Sequence, residues 1–314
     1  MRKHTGKIIV STIAGFLLLL VLGIQEFRYG MIQKAIYTYK VKHYLEQKYN
    51  EPMTIKHATY LWDNMEPISA RVYPKSSIGL EFSVYPRKEN PLRFIDDYAS
   101  TLWLQQAKED VDKRLLTVED DFRNQLHLAF TCCEVGKYDF GSIYGDVPPY
   151  TTANLAFDLS FQFDREMQKT DLEQMLRVVT ALKQQEQPLL DHVLFLLLPE
   201  GKPYRIQYQI PGSALKEINK IDDLKAYNQS RFPARDLAAS IGAEVSWDAA
   251  TSQAVFTKGD VTLQINHWGE EALINGSPVL SPLPSFPGDQ GQLLVPAALI
   301  EQAFQVEVPL VGPF

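Results

Sequence analysis

Histidines and cysteines build most metal sites and many nucleophilic centres, and this chain has few of them. The six histidines include no pair at the close spacing of metal ligands. They are His4, His43, His57, His127, His192 and His267. The two cysteines, Cys132 and Cys133, are adjacent, so no CxxC redox or metal motif exists. The sequence therefore predicts no metal and no cofactor.

The adjacent cysteines end a predicted strand in which Leu126, Leu128, Phe130 and Cys132 share one face. Two interpretations follow. Either one thiol is buried while the other points away, or the two sulfurs form a strained vicinal disulfide. Few cysteines suit an exported bacterial protein that is not built on a disulfide framework.

Motifs for hydrolysis and phosphate binding are also missing from the sequence. It contains no G-x-S-x-G, no H-E-x-x-H, no phosphate-binding glycine loop and no EF-hand loop. The neighbouring carboxylates Asp120–Asp121 and Asp222–Asp223 lie in polar turns, and adjacent side chains point apart, so we interpret both pairs as solvated surface. No catalytic residue is predicted. If an enzyme site exists, we expect it near His127 or His192.

Aromatic residues are the enrichment that suggests binding, since the chain has 15 tyrosines. Five candidates lie in predicted turns, namely Trp62, Tyr144, Tyr150, His267 and Trp268. Exposed rings of this kind stack on sugars and contact peptides. The alternative is that these rings are partly buried anchors of their loops.

An apolar run near the N-terminus decides where these candidates are displayed. Ile8–Ile24 is apolar apart from Ser11 and Thr12, and Arg2, Lys3 and Lys7 precede it. This length is near the lower limit for a membrane-spanning helix, and basic residues collect on the cytoplasmic side. The run predicts a cytoplasmic segment at 1–7 and a transmembrane anchor at 8–27, with the remaining chain extracytoplasmic. A cleaved signal peptide, which would release a secreted protein, is the alternative.

Composition indicates a folded protein that does not bind nucleic acid. The 314 residues are 45% hydrophobic, enough for packed cores, and the net charge is −7. Residues 231–314 hold three basic and nine acidic side chains. Such a surface lacks the clustered Lys and Arg that contact phosphate backbones.

Helices and strands alternate irregularly between residues 31 and 225. Predicted helices cover 31–49, 92–116 and a segment opened by a capping box at Thr170 and Glu173. Alternating strands are predicted at 53–61, 68–72, 80–84, 124–133, 155–163, 193–198 and 204–210. Because no βαβ rhythm is visible, we expect an α+β extracytoplasmic domain with a mainly antiparallel sheet.

The segment at about 231–308 resembles a known family. Three stretches carry the resemblance, AEVSWDAAT from Ala243, FTKGD from Phe256 and ALING from Ala272, followed by a closing helix and strand from Leu294. They are similar to the copper amine oxidase N-terminal-domain-like, or stalk, module. The resemblance implies a small α+β domain at 228–308, with Trp247 expected in its core. Two departures stand out, because Asn266-His267-Trp268 replaces a glycine-containing turn and Gln305 replaces a glycine.

The resemblance implies an accessory module without amine oxidase chemistry. That chemistry needs a tyrosine in T-x-x-N-Y, whereas Thr151 and Asn154 are followed by Leu155. We therefore expect a non-enzymatic, membrane-anchored envelope protein of a Gram-positive-type cell that binds wall polymer or another envelope protein. The alternative is an envelope hydrolase or transferase with its site in residues 31–225.

Overall fold

The computed structural model describes residues 2–60, 68–90, 93–131, 138–183, 187–288 and 291–310, with backbone alone for 2–11. The chain forms two compact units. The first comprises Met1–Gln106 with Val135–Thr152, and the second comprises Ala107–Glu134 with Ala153–Phe314. The adjacent cysteines lie outside the described residues. The described part is mixed α+β with mostly antiparallel sheets, which confirms the predicted fold class.

Two consecutive helices begin the first unit. Helix α1 spans Arg2–Tyr29 and helix α2 spans Met31–Lys48. Within α1, Thr12–Tyr29 has a mean hydropathy of 1.4 and none of it is buried. This helix is therefore long and apolar enough to be a membrane anchor or a signal sequence. Gly30 separates the helices at φ +55°, and an added Cβ would lie 2.4 Å from the Tyr60 ring, so the position requires glycine.

An antiparallel sheet of four strands, in the order β1-β2-β3-β4, packs against α2. Its strands are β1 at Met53–Thr59, β2 at Ser69–Pro74, β3 at Phe82–Pro86 and β4 at Phe94–Asp96. Val41 and Leu45 of α2 are buried with Val72, Phe82 and Val84 of the sheet. The predicted antiparallel pairing of the first three strands is correct.

The fourth strand corrects the predicted start of the next helix. Helix α3 spans Tyr98–Arg114 rather than beginning at Leu92, because Phe94–Asp96 pairs with β3. The Ser100 hydroxyl and the Thr101 amide both donate to the Asp97 carbonyl at the start of α3. Pairing with a neighbouring strand thus outweighs the apolar helical periodicity of these residues.

The second unit contains a four-stranded sheet in the order β5-β6-β7-β8. The strands are β5 at Leu126–Phe130, β6 at Ala156–Phe163, β7 at Leu189–Leu197 and β8 at Ile206–Pro211, with the short helix α4 at Asp120–Arg123 before them. Helix α5, at Asp171–Leu182, connects β6 to β7. Strands β6 and β7 are parallel, so β6, α5 and β7 form one βαβ unit, which the sequence pattern did not reveal, in a sheet whose other pairs are antiparallel.

The start of α5 differs from the predicted capping box. The Thr170 side chain makes no cap hydrogen bond, because Thr170 has helical angles rather than the extended ones of a cap residue. Instead, Arg165 donates two 2.8 Å hydrogen bonds to the buried carboxylate of Asp171. The Gln168 amide donates to the same carboxylate.

A seven-stranded antiparallel sheet forms the C-terminal module. Its order is β10-β11-β12-β13-β14-β15-β9. The strands are β9 at Arg231–Pro233, β10 at Glu244–Asp248, β11 at Gln253–Lys258, β12 at Val261–Asn266, β13 at Gly269–Ile274, β14 at Ser277–Pro287 and β15 at Leu293–Pro296. The helices are α6 at Ile221–Lys225, α7 at Ala234–Ile241 and α8 at Ala297–Phe304. Both long helices contribute buried leucines, Leu237 from α7 and Leu299 from α8.

The module continues directly from the four-stranded sheet. The Gln229 amide donates to the Gln207 carbonyl at 2.7 Å, and the Gln207 amide donates to the Ser230 hydroxyl at 3.0 Å. Both parts therefore belong to one compact unit. We predict that residues 228–314 also fold alone, because they carry their own apolar set, including Leu237, Leu263 and Leu299.

Trp247 corrects the predicted core of the module. Its side chain is 51% exposed, whereas Phe256, on the adjacent strand β11, is fully buried. Strand β10 is the edge of the sheet, and three of its five side chains are exposed, while Val245 and Asp248 are half-buried. At an edge, alternation along the strand does not decide which face is covered.

Candidate functional site

Trp247 presents its ring on the edge strand of the seven-stranded sheet. It pairs with Ala254 on β11, and its ring meets the His267 ring edge to face, with 5.6 Å between the centroids. The small alanine and the edge position leave the indole half-exposed. An indole held in this way offers a flat apolar surface to solvent.

The tight turn between β12 and β13 displays the second tryptophan. Gly269 closes this turn at φ +105°, a conformation suited to glycine, and the His267 amide donates to the Ser252 carbonyl. The turn projects Trp268, whose side chain is 65% exposed. The His267 ring lies between the two indoles, and its Nδ1 is buried without a hydrogen-bond partner.

Phe286 and Arg231 extend this line of rings. The Phe286 and Trp268 centroids are 6.4 Å apart, and the Arg231 guanidinium carbon lies 5.2 Å from the Phe286 centroid. Arg231 Nε donates to the Pro284 carbonyl, which fixes the guanidinium. Burial and the nearby Arg205 lower the pKa of Arg231. We call Trp247, His267, Trp268, Phe286 and Arg231 the aromatic row.

A groove of about 550 Å³ runs beside Trp247. Its polar lining residues are Arg235, Asp236, Ser246 and Gln292. Gln292 Nε2 is itself buried, beside Gly288, and has no hydrogen-bond partner among the described residues. Thus a ring, hydrogen-bond donors and a carboxylate surround one space.

This combination suits a sugar. One face of a pyranose consists of C–H groups, which pack against an indole, while its hydroxyls exchange hydrogen bonds with amide, guanidinium and carboxylate groups. Exposed large apolar rings grouped in this way are typical of a binding surface. The exposed rings and the polar groups beside them therefore support binding at the row and groove.

The structure shows which of the aromatic residues suggested by the sequence are exposed. Trp62 lies outside the described residues. Tyr144 is exposed in the first unit, whereas Tyr150 is 4% exposed and its ring is not available at the surface. His267 and Trp268 belong to the aromatic row. Sequence reasoning missed Trp247, Phe286 and Arg231 as surface groups, and alternation along β14 alone did not indicate that Phe286 would approach Trp268.

A second group of polar side chains lies on the four-stranded sheet. His192 is within β7, rather than before it, opposite Asp158 of β6. Its Nδ1 lies 3.4 Å from Asp158 Oδ1 and 3.2 Å from Asp191 Oδ2. Within the described residues, these three are the set of His, Cys, Asp and Glu side chains that could hold a metal. His127, on β5, is exposed, and its Nδ1 contacts the Gln125 carbonyl instead.

A cavity of about 580 Å³ adjoins this acidic histidine cluster. Asp191, His192, Lys183, Ser213 and Lys216 supply its polar lining. A Cβ on Gly212, at the end of β8, would lie 1.8 Å from the Leu190 carbonyl oxygen. Glycine therefore allows the close backbone approach that forms one wall of the cavity.

The comparison with protein families assigns the module. Residues 224–311 match the copper amine oxidase N-terminal domain. The match confirms the resemblance seen at 231–308 and extends it by a few residues at each end. Comparison with curated proteins gives no match for the chain.

The copper amine oxidase N-terminal-like module does not supply a copper site. Copper sites take several imidazole or thiolate ligands in fixed geometry. Residues 224–311 contain one histidine, His267, and no cysteine. The two rings recorded against His267 are indoles, which are not metal ligands. The residues present do not fit copper, despite the name of the family.

Proposed function

We propose that this protein is a non-enzymatic, membrane-anchored, extracytoplasmic protein of the cell envelope, and that its C-terminal module binds wall glycan. One observation carries the proposal, the half-exposed Trp247 ring beside a groove lined by Arg235, Asp236 and Ser246. Trp268 adds a second exposed ring to the same row. Wall glycan is the partner that such a surface suits best at a Gram-positive-type cell.

The apolar helix supports the proposed location. Thr12–Tyr29 is unburied, and Arg2, Lys3 and Lys7 precede it. Basic residues collect on the cytoplasmic side, which favours a short cytoplasmic tail and an extracytoplasmic bulk. Secretion after cleavage of the helix is the alternative location.

Protease protection tests this topology. Protease added to intact cells stripped of their wall should digest the bulk of the chain and leave a small membrane-bound fragment. Permeabilised cells serve as the control in which every orientation is digested. Full protection of the C-terminal module in intact cells would contradict the proposed orientation, and recovery of the module in the medium would favour secretion.

Co-sedimentation with insoluble wall glycan tests the binding surface. The full chain in a neutral detergent should sediment with purified wall glycan. Trp247→Ala and Trp268→Ala should each weaken binding about tenfold, because each removes one stacking ring. Leu280→Ala is the matched control, since Leu280 is an apolar side chain of β14 that is 73% exposed and lies outside the aromatic row.

Two outcomes would count against wall binding. In the first, the wild-type chain sediments no better than an unrelated acidic protein. In the second, all three variants lose binding equally, which would mean that general surface hydrophobicity is responsible. If the tryptophan variants keep wall binding but lose a protein from the envelope, protein interaction becomes the function of the row.

The acidic histidine cluster favours a second function, an envelope hydrolase or transferase. Asp158, Asp191 and His192 bring two carboxylates and an imidazole together beside a cavity. Such a set provides an acid and base pair or ligands for Zn²⁺. The exposure of all three side chains is ordinary for a surface ion pair, so we rank this function second.

Release of soluble fragments from wall material tests the second function. Wild-type protein should release sugars or amino groups if it is a hydrolase, and His192→Asn should abolish the release. His127→Asn is the control, because His127 is an exposed histidine of the same sheet that is not part of the cluster. Absence of release with and without added Zn²⁺ would exclude hydrolysis of this material.

A further inference from the structure

A basic pocket of about 560 Å³ lies in the first unit, apart from the sites described so far. Helix α2, the hairpin of β3 and β4 and the segment containing Tyr144 form its walls. Four of its lining residues carry nitrogen-based positive charge or can gain it, namely Lys40, His43, Arg87 and Arg93. None of the described residues that line it carries a carboxylate. This composition is unusual in a chain with a net charge of −7.

Two rigid elements place these cations. Lys40 and His43 are three residues apart on α2, so they share a face of the helix. Arg87 and Arg93 flank the hairpin, where the Arg87 amide donates to the Arg93 carbonyl at 2.8 Å. Backbone pairing therefore holds the two arginines opposite each other, whatever rotamers their side chains adopt.

Like charges facing each other across a hairpin destabilise it. A carboxylate between them would offset the repulsion, but Lys40, Arg87 and Arg93 form no salt bridge with any described residue. By contrast, the neighbouring Lys42 on α2 pairs with Glu46. The pocket thus keeps its positive charge available for a ligand.

The floor of the pocket is fixed from beneath. The Tyr44 hydroxyl donates to Asp96 Oδ2 at 2.5 Å, and Lys48 Nζ donates to the same oxygen at 2.7 Å. Tyr49 donates to the other oxygen, so both carboxylate oxygens of Asp96 are occupied below the pocket. The Tyr44 ring also packs on Phe94, with 5.4 Å between centroids. Because these contacts already fix the floor of the pocket, little side-chain conformational entropy is lost there when a ligand binds.

We propose that this basic pocket binds a phosphate group. Paired guanidinium groups match phosphate oxygens in geometry and charge, and a lysine adds a further donor. The exposed Tyr39 and Tyr144 rings flank the cations and would contact the organic part of a phosphate ester. The pocket is independent of the aromatic row, so this proposal does not rest on wall binding.

The phosphate has two sources that chemistry alone does not separate. One is the headgroup of an anionic membrane lipid, since α2 follows the apolar helix α1 after a single residue. The other is a soluble phosphate ester. Recognition of the phosphate group is common to both.

Titration of the full chain in neutral detergent separates them. Glycerol 3-phosphate is titrated in one arm, and micelles containing phosphatidylglycerol in the other, with phosphatidylcholine micelles as the blank. Binding is measured by calorimetry at low and moderate salt. Saturable binding in either arm supports the proposal and identifies the source, while binding in neither arm overturns it.

Matched variants assign the binding to this pocket. Arg87→Gln and Arg93→Gln should each weaken binding about tenfold or more, because a charge-assisted pair of hydrogen bonds is lost. Lys42→Gln removes the same charge from the same unit but lies outside the pocket, and it should leave binding within about twofold. If all three variants lost the same affinity, binding would depend on the overall positive charge of the surface, and the proposal of a specific phosphate site would be wrong. Arg87→Lys, which keeps the charge without the paired donors, should give an intermediate loss.

Discussion

The two compact units both display aromatic rings, but they hold these rings by different means. In the first unit, Tyr44 is fixed by the buried pair of Lys48 and Asp96, each of whose side chains is 1% exposed. In the C-terminal module, Trp247, His267 and Trp268 contact one another at the surface of a sheet. The first arrangement depends on a buried charge, and the second on contacts between rings.

The charge around the rings differs as well. Four basic side chains line the pocket of the first unit, whereas the groove beside Trp247 is lined by one cation, Arg235, and one carboxylate, Asp236, whose charges offset each other. A surface of the first kind suits an anion, and one of the second kind suits a neutral polyol. The comparison teaches that a count of aromatic residues does not identify a ligand, because the neighbouring charges decide it.

The largest expected effect is on the buried pair. Asp96→Asn leaves the Lys48 ammonium buried without a counter-charge, so the free energy of unfolding should fall by about 3–5 kcal/mol. Urea denaturation of the full chain measures this loss. Asp110→Asn, which breaks the exposed pair with Lys113, is the control and should cost less than about 1 kcal/mol. If the two substitutions lowered the free energy of unfolding equally, the buried pair would contribute no more than a surface pair, and the first unit would not depend on a buried charge.

Two rings on neighbouring strands of the module should differ in how much they contribute to the free energy of unfolding. Phe256→Ala empties a fully buried site and should cost about 3–5 kcal/mol. Trp247→Ala, on the adjacent strand, should cost less than about 1 kcal/mol, because half of the ring is already in water. The same denaturation experiment compares them. If Trp247→Ala lowered the free energy of unfolding by more than about 3 kcal/mol, the ring would have to be buried in the core, which would argue against a binding role.

Copper analysis tests whether this protein binds copper or oxidises amines, as the name of the matched family suggests. The full chain, dialysed against a mild chelator, should retain no stoichiometric copper and should oxidise no amine, since residues 224–311 hold one imidazole and no thiolate. Elemental analysis and an amine oxidase assay measure both properties. One tightly held copper per chain would contradict the interpretation of the aromatic row as a binding surface only.

The smallest expected effect concerns the end of α8. Gln305 occupies φ +53°, where the related modules have a glycine, so Gln305→Gly should raise the free energy of unfolding by about 0.5–1 kcal/mol. Gln302→Gly, in the exposed interior of the same helix, should lower it by about 1 kcal/mol. Thermal unfolding compares the two glycines. Destabilisation by both would mean that Gln305 has a role other than closing the helix.

The sequence by itself determined the features that depend on neighbouring residues. The apolar run predicted α1, and alternation predicted β1, β2 and β3 together with their antiparallel pairing. The motifs of the module, including AEVSWDAAT and FTKGD, were sufficient to identify it from the sequence. These features are local, since the periodicity of a segment depends on which of its own faces is apolar.

Tertiary structure alone decided the features that depend on distant partners. Phe94–Asp96 forms a strand because β3 is beside it, and β6 pairs with β7 in parallel because α5 carries the chain back to the starting end of the sheet. Trp247 is exposed because its strand is the edge of the sheet. Sequence alternation carries none of this information, because it does not specify which strand will be the neighbour.

The candidate sites show the same limit. His267 and Trp268 were found from the sequence because they are adjacent in an unusual turn, but Phe286 and Arg231 reach them only through the folding of β14 and β9. Arg87 and Arg93 meet Lys40 because a hairpin packs against a helix almost fifty residues earlier in the chain. Both candidate sites therefore consist of side chains that the sequence separates and the fold brings together, since the free energy of packing is a property of the whole unit.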